Sequence, residues 1–115
     1  MSKKKGRSAP PAHFQQLLFG SPSSIELLVT VSDISDIKQY GFAYDGASVP
    51  MSRGKGTFYA QPSVTKLLEW GMRGEPGGTM KVVVTNGDTT VAKRDKSMIV
   101  PPEDSGYDAF QITVS

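Results

Sequence analysis

Apolar residues recur at every second position over most of this chain. Ile25, Leu27, Val29 and Val31 alternate with Glu26, Leu28, Thr30 and Ser32, the pattern of a strand with one buried face. Tyr40, Phe42 and Tyr44 share one side of a second segment, 37–44. Asp45-Gly46 then interrupts, and that pair suits a type I′ turn returning residues 47–51 as a hairpin partner. Residues 57–61 read as a short strand. Leu68, Trp70 and Met72 alternate with Glu69, Gly71 and Arg73, as Met80, Val82 and Val84 do with Lys81, Val83 and Thr85. Between those two runs stands Gly74-Glu75-Pro76-Gly77-Gly78, a strong breaker. Asn86-Gly87-Asp88 marks the clearest turn. Strand-like pieces follow at 89–92 and 97–100, Pro101-Pro102 stops them, and Phe110, Ile112 and Val114 line a last strand.

These segments predict an all-β fold of seven or eight short strands, at the spacing of roughly 8–12 residues expected of a sandwich or barrel. A single antiparallel β-sandwich is the expected architecture, with a small β-barrel as the alternative. No helical pattern separates the strands, which disfavours βαβ units and a parallel sheet.

The first twenty residues differ. Lys3, Lys4, Lys5 and Arg7 are followed by Ser8, Pro10 and Pro11, a composition that predicts a solvated basic arm. Phe14, Leu17 and Leu18 then fall at i, i+3 and i+4, and with Phe19 they form a short apolar anchor before Gly20-Ser21-Pro22. A helical turn this short needs something to dock on. The expected organisation is therefore a basic arm with an anchor over 1–20 and a β-sandwich domain over 22–115.

Charge sharpens that division. The chain carries +2 overall, from thirteen Lys plus Arg and eleven Asp plus Glu. Four of the basic residues lie in the first seven positions, which leaves nine against eleven in the remainder. No apolar run is long enough to cross a membrane as a helix. With no cysteine, disulfides and thiolate chemistry are excluded, which fits a cytoplasmic address.

Catalytic signatures are sparse, and the expectation is a protein that is not an enzyme and needs no cofactor. His13, the single histidine, stands beside the basic arm without an orienting partner. Gly46-Ala47-Ser48-Val49-Pro50 lacks the second glycine of a nucleophile elbow. Residues 53–57 and 71–78 are glycine-rich but match neither a Walker loop nor a dinucleotide fingerprint, and read better as loops needing positive φ. Asp33, Asp36, Asp45, Asp88, Glu103, Asp104 and Asp108 offer the hard oxygens that calcium takes. Aspartate is equally the residue of turns, and no metal site is predicted.

What remains is recognition. The expected function is a binding or assembly module working through protein–protein contacts, of the kind found in phage, secretion-apparatus or other accessory structures. Its expected contact residues are Phe14, Leu17, Leu18 and Phe19 with Lys3, Lys4, Lys5 and Arg7. A protein partner or self-association ranks first. A carbohydrate-binding module ranks second, with Tyr59 and Trp70 as stacking rings and Arg53 and Arg73 as polar contacts. For Trp70, which shares a face with Leu68 and Met72, core packing is the stronger expectation. Nucleic acid ranks third, through the basic arm only.

Overall fold

The computed structural model describes residues 24–115, and all six of its elements are strands. They are β1 (Ile25–Tyr44), β2 (Ala47–Val49), β3 (Lys55–Ala60), β4 (Lys66–Asn86), β5 (Thr89–Met98) and β6 (Ser105–Ile112). Every pairing is antiparallel, and the sheet is not closed. No helix among the described residues is long and apolar enough to cross a membrane. The arm and anchor, with Lys3, Lys4, Lys5, Arg7, Phe14, Leu17, Leu18 and Phe19, lie outside the described residues.

The strand count is lower than the periodicity predicts because three pairs of segments are continuous, the pieces at 89–92 and 97–100 meeting within β5. β1 runs for 20 residues through Asp33–Asp36, and β4 for 21 through Gly74–Gly78. What reads as a stop in the sequence is a bend. Register shifts between Ser32 and Gln39 mark it on β1, where Asp33 and Asp36 take φ of 50° and 60°. Aspartate tolerates that left-handed region better than most residues. Opposite them Gly77 has φ 87°, and its N–H donates to the Ile99 carbonyl at 2.8 Å. The β1–β4 ladder continues through the bend by the pairs Ser35–Thr79 and Ile37–Gly74, with register shifts on either side.

The bend divides the sheet into two halves that share β1 and β4. In the first half, residues 25–32 of β1 and 79–86 of β4 are flanked by β3 and β5. In the second, residues 37–44 and 66–73 are flanked by β2 and β6. Alternation supplies each half with one apolar face, and both faces enter the same core. Leu27, Val29, Phe58, Val82 and Val84 come from the first half, and Phe42, Leu68, Trp70, Phe110 and Ile112 from the second. The Tyr44 and Phe58 rings, one from each half, lie 4.6 Å apart between centroids.

Tight turns follow their residues. Asp45 and Gly46 both have positive φ between the paired Tyr44 and Ala47, as a type I′ hairpin requires. Between the paired Asn86 and Thr89 only Gly87 has positive φ, so this turn fits type II′. Arg53-Gly54 makes a third, closed by hydrogen bonds between Ser52 and Lys55 at 2.8 and 3.1 Å.

Candidate functional site

Two polar arrangements stand out, one inside and one outside. The inner one centres on Ser97, 1% exposed on the inward side of β5. Its hydroxyl accepts the Trp70 indole N–H at 3.0 Å and donates to Asp108 Oδ2 at 3.0 Å, with Met72 Sδ at 3.6 Å. Asp108 also takes a two-pronged contact from Arg94, Nε to Oδ2 at 3.0 Å and Nη2 to Oδ1 at 3.1 Å. The Ala109 N–H adds 2.8 Å to Oδ1, and the Arg94 guanidinium lies 5.2 Å from the Phe110 ring centroid. Charge-assisted forks of this geometry are among the stronger polar contacts. Here the fork joins β5 to β6, two edge strands that no ladder connects. Ser97 is closed to solvent, so its hydroxyl serves the packing of the two halves.

The outer arrangement lies on the exposed face of the second half. Trp70, Met72, Phe42 and Phe110 point inward, which turns Gly41, Gly71, Arg73 and Tyr107 outward. Cross-strand pairing places Gly41, Gly71 and Tyr107 in one row and Gln39, Arg73 and Ser105 in the next. The glycines leave a shallow depression of about 700 Å³. Lys38, Gln39, Arg73 and Ser105 line it, and the backbone flanking Gly41 and Gly71 forms its floor. Tyr107, 66% exposed, stands beside it and donates its hydroxyl to Glu69 Oε1 at 2.9 Å. That bond to a carboxylate holds the Tyr107 phenol above its ordinary pKa. Arg73 has no ion-pair partner among the described residues, whereas Lys38 lies 3.2 Å from Glu75.

Gly41 and Gly71 are unusual among the described glycines. Gly46, Gly54, Gly77 and Gly87 have positive φ. At Gly56, Gly74, Gly78 and Gly106 an added Cβ would crowd a neighbour at 3.2 Å or less. Gly41 and Gly71 have neither reason: an added Cβ meets nothing within 4 Å at the first and only Gly106 O at 3.8 Å at the second. Each costs the strand about 0.5–1 kcal/mol relative to alanine.

The residues singled out from sequence fall in separate places. Trp70 is 1% exposed, with its ring 5.3 Å from Phe42 and 5.0 Å from Phe110, so it packs the core and offers no ring to a sugar. Tyr59, 41% exposed, sits on the outer face of the first half beside Glu26, which accepts its hydroxyl at 3.3 Å. Arg53 occupies the tight turn before β3, and only Arg73 belongs to the depression. The carboxylates weighed for calcium form no group of three or more among the described residues. Tyr107 and the glycine pair were missed because their significance lies in cross-strand register. The chain matches no protein-family model, no curated protein and no solved structure.

Proposed function

We propose that this chain is a non-enzymatic binding and assembly module, a β-sandwich rather than a barrel, that engages a protein partner in the cytoplasm through the outer face of its second half. The observation carrying this reading is the paired Gly41 and Gly71. A strand glycine with ordinary φ and room for a side chain commonly marks a close approach by a ligand or another backbone. The surround suits a protein. Tyrosine and arginine are the residues that anchor protein interfaces, and Tyr107 and Arg73 are both exposed here beside a floor of backbone. A sugar platform has less support, since the two well-exposed tyrosines, Tyr59 and Tyr107, lie on the outer faces of different halves. The arm and anchor supply a second contact in this reading.

Gly71→Lys separates binding from folding. An added Cβ there makes only an ordinary contact with Gly106 O at 3.8 Å, so the variant is expected to melt at or above the parent temperature. Affinity capture from the native cell, compared between parent and variant, should show the parent's protein partner lost. A variant that retains the same partner at the same yield contradicts the proposal.

A further inference from the structure

The outer face of the first half has a different chemistry, and we propose that it binds the phosphate backbone of double-stranded nucleic acid. Lys55, Thr30, Val83 and Lys93 form one continuous cross-strand row over β3, β1, β4 and β5. Lys81 pairs with Ser32 in the next outward row. The register shift between Met80 and Val82 sets Asp95 and Lys96 opposite Lys81. Ser97 is buried, so the exposed Lys96 faces outward with the others. Four lysines, scattered over more than forty residues of sequence, thus share one surface.

Its geometry and charge suit phosphates. Strands about 4.8 Å apart put the ends of the Lys55–Lys93 row about 14 Å from one another, with Lys81 about 7 Å along the strands. That spread compares with the major groove of duplex DNA, about 12 Å wide between its phosphate walls. Thr30 and Ser32 lie in the lysine rows and Thr57 and Thr85 in the row beside them, and such hydroxyls are regular phosphate donors. Lys55, Lys81 and Lys96 have no ion-pair partner among the described residues, and Lys93 has Asp95 at 3.7 Å. The other carboxylate on the face is Glu26, at its far end and engaged by Tyr59. The remaining acidic residues stand at the bend, at turns, on the β5–β6 connection or on the second half. A fold with more acidic than basic residues therefore presents a locally basic surface.

The test is fluorescence anisotropy of a labelled DNA duplex of mixed sequence, titrated with the full chain from 50 to 200 mM salt. Four phosphate contacts predict an affinity loss on the order of 10²-fold across that range. Replacing Lys55, Lys81, Lys93 and Lys96 by alanine, with Lys3–Arg7 intact, should weaken binding at least tenfold at low salt and flatten the salt slope. If that variant does not fold, Lys55→Ala and Lys96→Ala singly should each lower the slope by about one. Parent-like affinity and slope in the lysine variants would assign binding to the arm and overturn the proposal, as would no binding at 50 mM salt. Polyglutamate competing as well as unlabelled duplex, charge for charge, would overturn it in favour of an acidic protein surface. Gly71→Gln, which fills the same position without changing the charge, should leave this titration unchanged, so the two faces fail or succeed separately.

Discussion

Trp70→Ala is expected to remove about 3–5 kcal/mol of stability, a large part of the roughly 5–15 kcal/mol typical of a domain. Trp70 is almost fully buried, its ring packs on Phe42 of β1 and Phe110 of β6, and its N–H reaches Ser97 on β5. Truncation leaves a cavity where the two halves meet and takes from Ser97 its indole donor. Trp70→Phe, which keeps an aromatic ring, should cost about 1–3 kcal/mol through that lost donor and imperfect filling. Urea unfolding followed by circular dichroism measures both, since the alanine variant has no tryptophan left to fluoresce. A Trp70→Ala midpoint equal to the parent's would mean that the halves do not pack on one another here.

The second large effect belongs to the bend. A Cβ at Gly74 would collide with the Asp36 carbonyl oxygen, and would sit 2.9 Å from Ile37 Cα. Both obstacles are backbone, which cannot swing aside as a side-chain tip can. Gly74→Ala is therefore expected to cost about 1–3 kcal/mol, the usual range for overpacking. Gly41→Ala, a glycine of the same sheet with open space before it, should instead be neutral or stabilising by about 0.5–1 kcal/mol. Thermal melts of the two variants are expected to move in opposite directions, by about 4–8 °C per kcal/mol for a domain near this size. If both move together, close backbone contact at the bend is not what Gly74 supplies.

The inward faces were legible in the sequence because alternation is a local property. Leu27 to Val31, Leu68 to Met72, Met80 to Val84 and Phe110 to Val114 all point inward as their period implies. Continuity through Asp33–Asp36 and Gly74–Gly78 was not legible. Aspartate and glycine supply the same left-handed backbone whether a strand ends or merely bends. The Ser97 contact was hidden within a polar run, Lys93-Arg94-Asp95-Lys96-Ser97, where nothing local separates the buried serine from its exposed neighbours. Gly71 was visible as an outward position opposite Trp70. Its pairing with Gly41, thirty residues earlier, depends on register, and so does the gathering of Lys55, Lys81 and Lys93. Candidate surfaces in this fold are cross-strand constructions, whereas the core is a sum of local patterns.

Hydroxyl-radical footprinting of the two exposed tyrosines tests the proposed protein-binding face most directly. In the free chain Tyr107 and Tyr59, 66% and 41% exposed, should both be oxidised. In the nuclease-treated complex with its captured protein partner, Tyr107 is expected to be protected several-fold while Tyr59 keeps its free-chain reactivity. Tyr107 remaining as reactive in the complex as in the free chain would contradict the assignment of the Gly41–Gly71 face as the site of assembly.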